Sequence, residues 1–269
     1  MWAAGYDVRV ADAVAVTREI SPALAACELT HLARAPIDVD RARAQHGAYE
    51  AALADAGYRV ERLAADPGMP DCVFVEDIAV VVPEIAIVTR PGAASRRGET
   101  AAVAGAVSRY RTVRYIEAPG TLDGGDVLIA GRRVFVGVSS RTTPPGAGQL
   151  RRLLEPYGYD VTEVAVRGCL HLKSAATAVG EDLLLINPEW VDATVLDRLD
   201  RVTVDPREPS AANALRLRDR VIFPSAFPRT AERLEARGLR LVTVDASELA
   251  KAEGAVTCCC VLVDVSPHA

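Results

Sequence analysis

The sequence predicts an α/β fold that is built from repeated units. Short runs with the two-residue alternation of strands are separated by stretches with the 3.6-residue spacing of helices. The order hairpin, helix, strand recurs several times without obvious sequence identity between the units. No low-complexity stretch or long linker interrupts the pattern, so we expect residues 1–269 to form a single domain. These patterns alone do not distinguish a repeated propeller from an open mixed sheet.

The first half of the chain contains two predicted helices with strands on either side. Asp38 is a suitable N-cap for the first helix, and Gly57 ends it. Ser95 begins the second helix after a Pro-Gly break. Alternating or apolar runs predict four strands, at residues 58–63, 72–82, 85–89 and 112–116.

The second half contains three predicted hairpins. The first turns at Gly131, the second across 180–182 and the third at 218–219. Helices are predicted at 148–157 and at 231–237, where Gly238 ends the segment. The corresponding strands are 127–130 with 134–138, 174–179 with 183–186 and 214–217 with 221–224, together with single strands at 161–166, 241–244 and 256–263.

Composition excludes several classes of protein. The net charge of -5 argues against nucleic-acid binding through a basic face. Residues 1–20 lack the apolar region of a secretory signal, and no apolar run approaches the length of about 20 residues that spans a membrane. We therefore expect a cytoplasmic protein that binds neither nucleic acid nor membrane. Its six cysteines are expected to be free thiols.

The run of three cysteines near the end of the chain is the most unusual local feature. If residues 256–263 form a strand, Cys258 and Cys260 share one face and Cys259 takes the other. Three buried core residues are one interpretation, because free cysteine is often buried. A thiolate nucleophile is the other. A metal site is disfavoured, since adjacent cysteines on opposite faces do not converge easily on one ion.

Several other residues have the chemistry of a covalent hydrolase. His171 could move protons, and Asp123, in the glycine-rich LDGGD segment, could orient it. Asp71 and Asp77 punctuate an apolar segment with Glu76 between them, and buried carboxylates need a cationic partner. That partner is either a ligand or an arginine of the chain. Arginines just after predicted strands, Arg96 and Arg141, could each bind a carboxylate with two hydrogen bonds.

Taken together, these motifs resemble those of dimethylarginine dimethylaminohydrolases, members of the pentein or guanidino-group-modifying superfamily. They occur in the family's order over nearly the whole chain: PDCVFVED at 70–77, TRPGAASRR at 89–97, LDGGD at 122–126, SRT at 140–142, LHLK at 170–173, AAN at 211–213 and TC at 257–258. The resemblance implies a pentein fold, a five-bladed α/β propeller of pseudo-symmetric units with the site at its centre.

The resemblance also implies a reaction and its residues. Methylated arginine is hydrolysed to citrulline and dimethylamine or methylamine, without metal or organic cofactor. The implied catalytic residues are the nucleophile Cys258, the proton carrier His171 and the orienting acid Asp123. The implied substrate-binding residues are Asp71 and Asp77 for the guanidinium group, Glu76 nearby, Arg96 and Arg141 for the α-carboxylate, Leu29 in a lid loop, and Ala252 with Glu253 near the α-amine.

The sequence departs from the family's pattern at two positions. Glu253 stands where the family usually has aspartate, which affects substrate preference only if the side chain takes part. Cys260 replaces a usual serine. A second thiol on the same strand face as Cys258 would ease oxidative inactivation.

Three alternatives remain open at this stage. The nearest is an arginine deiminase or a hydrolase of another guanidino compound. Lys173 argues against a deiminase, because deiminases typically carry an acid two positions after the histidine. The second is a non-catalytic pentein that binds a macromolecule, and the third a redox or metal-binding role for the cysteine run. The sequence leaves both a monomer and a homodimer open.

Overall fold

A computed structural model describes residues 13–196 and 198–265. Residues 1–12, which belong to the segment for which no secretory signal is expected, lie outside the described residues. The α-helices of the described chain are α1 (Val39–Asp55), α2 (Thr100–Val107), α3 (Pro144–Leu154), α4 (Leu172–Ala175), α5 (Pro228–Glu235) and α6 (Ser247–Ala250). The strands are β1 (Ala13–Arg18), β2 (Arg59–Leu63), β3 (Ala79–Val81), β4 (Ile85–Val88), β5 (Thr112–Tyr115), β6 (Val127–Ala130), β7 (Arg133–Val138), β8 (Asp160–Ala165), β9 (Ala176–Ala178), β10 (Leu183–Ile186), β11 (Asp200–Thr203), β12 (Leu215–Arg216), β13 (Val221–Pro224), β14 (Leu241–Val244) and β15 (Val261–Asp264).

The strands form sheets of three, and every sheet has the same internal pairing. The first strand pairs antiparallel with the central one, which pairs parallel with the third. In the four sheets of consecutive strands a hairpin makes the antiparallel pair, and in all five a helix-containing crossover makes the parallel one. The predicted order of hairpin, helix and strand is thus confirmed. The five sheets are β15-β1-β2, β3-β4-β5, β6-β7-β8, β9-β10-β11 and β12-β13-β14.

One sheet joins the two ends of the described chain. Strand β15 pairs antiparallel with β1, with Val263 opposite Val14 and Val261 opposite Val16. Val14, Val16 and Val263 are fully buried. The other four sheets are each built from consecutive strands, so this pairing is the step that connects the last unit to the first.

Five hydrophobic clusters lie between the sheets and link them in a cycle. Each cluster combines side chains from two neighbouring sheets, and the last links the sheet of β12-β13-β14 back to that of β15-β1-β2. Each cluster has members from both of its sheets, for example Val88 and Val261, Val80 and Val127, Leu128 and Leu184, Leu185 and Phe223, and Ile222 and Ala15. This cyclic packing of repeated α/β units agrees with the architecture that the resemblance implied.

The predicted strand at 72–82 is wrong over its first part. Residues 71–73 form turns, Val75–Ile78 is a 3-10 helix, and only Ala79–Val81 is a strand. The backbone here makes local bonds instead of strand pairs, such as Phe74 N–H to the Asp71 carbonyl. A continuous strand would place Asp71 and Asp77 on the same face. The turns and the 3-10 helix remove that relation. A 3-10 helix with three residues per turn aims the acidic side chains in different directions.

Two other predicted strands are also shorter than expected. Residues 256–259 form a turn and β15 begins at Val261, so the shared face inferred for Cys258 and Cys260 does not exist. Similarly, His171 precedes the short helix α4 and not a strand. In both places the chain leaves the sheet to carry a chemically important side chain, and residue composition does not reveal such departures.

The longest helix matches its prediction closely. The Asp38 carboxylate accepts the N–H of Arg41 and caps α1, and Gly57 follows the helix in the left-handed conformation. By contrast, α3 begins at Pro144, before the expected residue 148, because proline suits the first turn of a helix. No helix in the described part of the chain is long and apolar enough to cross a membrane.

Candidate active site

A small cavity is lined by most of the residues singled out from the sequence. Its volume is about 20 Å³, which is room for about one water molecule. The predicted residues that line it are Asp71, Asp77, Arg96, Arg141, His171, Ala252, Glu253 and Cys258, joined by Glu28, Phe74, Leu170 and Gly254. Of the remaining predicted residues, Asp123 lies behind His171, Leu29 lies in the segment above the cavity, and Glu76 faces another cavity.

His171 is held by a buried carboxylate. Its Nε2 lies 3.1 Å from Asp123 Oδ2, and both side chains are almost inaccessible to solvent. Asp123 is fixed in turn, because its Oδ1 accepts the N–H of Gly92 and its own N–H donates to Thr142 Oγ1. The imidazole therefore has a defined orientation, as required of a residue that transfers protons.

A second carboxylate faces the other nitrogen of the imidazole. Asp77 Oδ1 is 3.8 Å from His171 Nδ1 and accepts the N–H of Gly125, while Oδ2 accepts from Arg96 at 2.6 Å. Gly125 has to be glycine here. A Cβ at this position would lie 2.6 Å from His171 Nδ1 and 2.7 Å from Asp77 Oδ1.

These contacts determine the protonation of the pair. Burial opposes the charged imidazolium, but the carboxylates of Asp77, Asp123 and Asp126 outweigh it and raise the pKa of His171 to about 9. Burial would likewise raise the pKa of Asp77, yet the charges of His171 and Arg96 hold it below its usual value. At neutral pH His171 is therefore an imidazolium, and it lies between Asp77 and Asp123.

Cys258 is placed by a turn that other parts of the chain hold from two sides. Its N–H donates to the Ala255 carbonyl, and its own carbonyl accepts the N–H of Glu76. Burial, followed by the charges of Glu76 and Asp77, raises the pKa of the thiol. Without a cation beside it, Cys258 is therefore a protonated thiol at neutral pH.

A polar network supports this turn. The Asn213 side chain accepts the N–H of Thr257 and donates to both Thr257 Oγ1 and the Lys173 carbonyl. Thr257 Oγ1 donates to Glu76, which also accepts from Lys173 Nζ at 2.5 Å. One buried network thus connects the segment after His171 to the residue before Cys258.

The network also separates two cavities. Glu76, Lys173, Thr257 and Cys260 line a larger cavity of about 320 Å³, together with residues of β3, β6, β9, β12 and β15. Cys258 lines the small cavity instead. Cys260 and Cys258 therefore face different spaces, and the Glu76 carboxylate is bonded to Lys173 and Thr257, away from the small cavity.

The opposite end of the small cavity is covered by residues 28–32, which we call the lid segment. Both oxygens of Asp71 accept the N–H of Glu28, at 3.1 and 3.2 Å. Arg141 Nη2 donates to Thr30 Oγ1 at 2.9 Å. Leu29 lies between these two contacts and packs against the core near α1.

The two predicted α-carboxylate arginines differ in their surroundings. Arg96 is buried, and its guanidinium donates to Asp77, to Glu99 and to the Phe74 carbonyl. Arg141 is also buried, but its bond to Thr30 is one that a bound anion could replace. The guanidinium of Arg96 is already occupied by protein groups, so we interpret Arg96 as the counter-charge of Asp77. Arg141 is the better candidate for binding an anion.

The sequence patterns did not predict the residues that hold the side chains of the site in place. Asp126 accepts from Ser139 Oγ and from the Leu172 N–H, which fixes the segment after His171. Thr142 orients Asp123, and Asn213 orients Thr257. Asp126, Thr142 and Asn213 all lie in motifs shared with the family. Their position in these motifs is the sequence feature that could have predicted a role at the site.

In the described part of the chain, one group of side chains has the geometry of a metal site. Ligand atoms of Asp77, Asp123 and His171 lie within 4.8 Å of one another. The protein already uses these atoms, since Arg96 and Gly125 donate to Asp77 and Gly92 donates to Asp123. This arrangement suits proton transfer better than ion binding.

The sequence is similar to those of known enzymes that act on arginine derivatives. A family model described as arginine deiminase matches residues 101–212. The dimethylarginine dimethylaminohydrolase of Streptomyces coelicolor is 42% identical over 91% of this chain and 94% of its own. The enzyme of the same name from Pseudomonas aeruginosa is 37% identical over 82% of this chain and 88% of its own.

The fold is also similar to those of solved structures. A cysteine-to-serine variant of the Pseudomonas aeruginosa enzyme in complex with citrulline superposes with a TM-score of 0.89, at 34% identity over 93% of this chain and 98% of that one. The N-terminal domain of a cyanobacterial arginine dihydrolase, at 19% identity over 95% of this chain and 98% of that one, has a TM-score of 0.81, a likeness of fold alone. With relatives 42% and 37% identical over most of its length, the chain belongs to the dimethylarginine dimethylaminohydrolase family.

Proposed function

We propose that the protein hydrolyses Nω-methylated arginine to citrulline and a methylated amine, with Cys258 as the nucleophile. The observation that carries this proposal is the arrangement of His171 between Asp77 and Asp123 in the cavity that Cys258 lines. The family relationship supports the same chemistry. A buried site with several carboxylates suits a cationic guanidinium group.

The cavity has two chemically different ends, and we assign the substrate's two ends accordingly. Asp77 and His171 lie at the end with Cys258, where we place the guanidinium group. Asp71 lies under the lid segment and in the electrostatic range of Arg141, whose charge lowers its pKa against the larger effect of burial. We therefore assign Arg141 to the α-carboxylate and Asp71 to the α-amine, instead of placing both aspartates on the guanidinium.

Substrate binding would itself activate the nucleophile. Burial and the nearby carboxylates keep Cys258 protonated in the empty site. A guanidinium cation beside the sulfur stabilises the thiolate and so lowers the pKa of Cys258. The thiol thereby releases its proton to solvent, and the thiolate attacks the guanidinium carbon to give a tetrahedral intermediate.

His171 completes both halves of the reaction. With a pKa of about 9 it is protonated at neutral pH and can donate its proton to the departing amine. The product of this step is a thiouronium bonded to Cys258. The neutral imidazole then removes a proton from water, which attacks the same carbon, and the thiolate leaves as citrulline forms.

The test is a parallel assay of asymmetric dimethylarginine, monomethylarginine and arginine, with citrulline as the readout. Citrulline from the methylated substrates and its loss in Cys258→Ser would support the proposal. Turnover of arginine alone would identify a deiminase and contradict the discrimination assigned to Lys173. No turnover of any of the three would contradict the proposal.

We also propose that the enzyme works in the cytoplasm. All six cysteines of the chain are free thiols, as expected in a reducing compartment. Fractionation of the source cells would check this assignment. Recovery of the protein from an extracellular fraction would contradict it.

A further inference from the structure

The lid segment carries a set of backbone contacts that the proposed reaction does not use. The N–H groups of Thr30, His31 and Leu32 all point at one carboxylate, that of Glu253. Thr30 donates to Oε2 at 3.0 Å, and His31 and Leu32 donate to Oε1 at 2.5 and 2.6 Å. Three successive N–H groups form a concave site that favours an anion.

The backbone of Glu253 is shaped for this contact. With a φ of 58° it is the one residue other than glycine in the left-handed region among those the structure describes. This conformation is unfavourable for a residue with a Cβ, so the surroundings must impose it. Both of its neighbours are closely confined: Ala252 is buried, and a Cβ on Gly254 would lie 2.2 Å from the Phe74 ring.

Two further contacts of the lid segment involve proposed substrate-binding groups. Glu28 N–H rests on Asp71, and Thr30 Oγ1 rests on Arg141. A substrate that engages Asp71 and Arg141 would compete for both contacts. The Glu253 contacts involve neither Asp71 nor Arg141, so a substrate that engages those two groups does not compete for them directly.

The closed lid also conflicts with binding. A cavity of about 20 Å³ has room for about one water molecule, so a molecule the size of arginine requires the lid segment to move. Opening breaks the bonds to Glu253, and closing reforms them. The strength of these bonds therefore affects how tightly substrate is enclosed.

We propose that Glu253 is a positioning residue that latches the lid segment closed over the bound substrate. This inference rests on the proposed function for its kinetic consequence, but the latch is a property of the lid itself. The latch acts through the charge of the carboxylate, because bonds to a charged acceptor are the stronger ones.

The experiment compares wild type with Glu253→Gln, which keeps size and backbone strain but removes the charge and one acceptor. Glu235→Gln, an exposed position at the end of α5, is the matched control. We expect amide exchange at residues 30–32 to accelerate about tenfold or more in Glu253→Gln alone. We also expect faster alkylation of Cys258 by N-ethylmaleimide and a larger increase in KM than decrease in kcat.

Unchanged amide exchange at residues 30–32 in a folded Glu253→Gln variant would overturn the proposal. If that variant fails to fold, Leu32→Pro removes one donor and leaves Glu253 intact. Faster exchange at Thr30 and His31 then supports the latch, and unchanged exchange overturns it. Exchange requires no turnover, so failure of the proposed reaction is distinguishable from failure of the latch.

Discussion

At the scale of single residues, the site depends on how buried charges are paired. His171 is an imidazolium because two carboxylates face its two nitrogens, at 3.1 and 3.8 Å. Burial, followed by the charges of Glu76 and Asp77, keeps the Cys258 thiol protonated until a cation arrives. A guanidinium substrate would therefore change the protonation of Cys258, whereas His171 already carries the proton that the proposed reaction needs.

The first prediction concerns the pH dependence of turnover. If protonated His171 donates to the leaving amine, kcat/KM should fall as pH rises through about 9, since the acid form of the free enzyme is lost there. Asp123→Asn removes one carboxylate that raises this pKa, so the alkaline limb should move to lower pH. A pH profile of kcat/KM for both proteins measures the position of this limb, and an identical alkaline limb would argue against the assignment.

The second prediction concerns Gly125. Gly125→Ala places a Cβ against His171 and Asp77 and should reduce kcat about 100-fold, because a shift of about 1 Å at the site is enough. Gly47→Ala in α1 is the control. Nothing lies within 4 Å of its new Cβ, so it should preserve kcat and raise stability by up to about 1 kcal/mol. Equal kcat in the two variants would contradict the steric argument.

At the scale of elements, short non-sheet segments carry the chemistry and longer elements hold them. The turn with Cys258 precedes β15, and His171 immediately precedes α4. Asn213 cross-links these two segments through Thr257 and the Lys173 carbonyl. The positions of Cys258 and His171 therefore depend on polar cross-links between segments distant in sequence.

The third prediction follows from that cross-link. Asn213→Ala leaves the N–H of Thr257 and the Lys173 carbonyl without this partner, which should cost about 1–3 kcal/mol of unfolding free energy. We also expect kcat to decrease more than KM increases, since the Cys258 turn is loosened. Chemical denaturation and steady-state kinetics test both points. A variant that loses stability with an unchanged kcat would show that Asn213 does not position the nucleophile.

The fourth prediction separates a purely structural element from the site. Asp38 caps α1 through the N–H of Arg41, so Asp38→Ala should lower the unfolding free energy by about 1 kcal/mol. Because α1 lies outside the cavity, KM and kcat should stay at wild-type values. Thermal melts with an activity assay provide the measurement, and altered kinetics would mean that α1 couples to the site.

At the scale of the whole molecule, pairing of β15 with β1 connects the end of the cycle to its beginning. Val263 lies opposite Val14 and is fully buried between the first two sheets. Cys258 lies just before β15, so the closure of the fold and the placement of the proposed nucleophile use the same stretch of chain. Loss of this strand pair would therefore remove activity together with the fold.

The fifth prediction tests that coupling. Val263→Ala should lower the unfolding free energy by about 2 kcal/mol, whereas Thr243→Ala at an exposed position of β14 should change it by less than about 0.5 kcal/mol. During denaturation, activity and secondary structure should be lost in one coincident transition. Loss of activity well before the loss of secondary structure would show that the site and the closure are separable.

Sequence patterns were enough to predict the repeated order of hairpin, helix and strand and the cap at Asp38, and they suggested that Asp123, His171 and Cys258 act together. Local signals were sufficient there, because periodicity, capping and motif order are properties of neighbouring residues. Tertiary structure alone decided where the chain leaves the sheets, that Cys258 and Cys260 face different cavities, and that Glu253 reaches the lid segment. Contacts between segments as much as 223 positions apart depend on packing, which sequence periodicity does not encode.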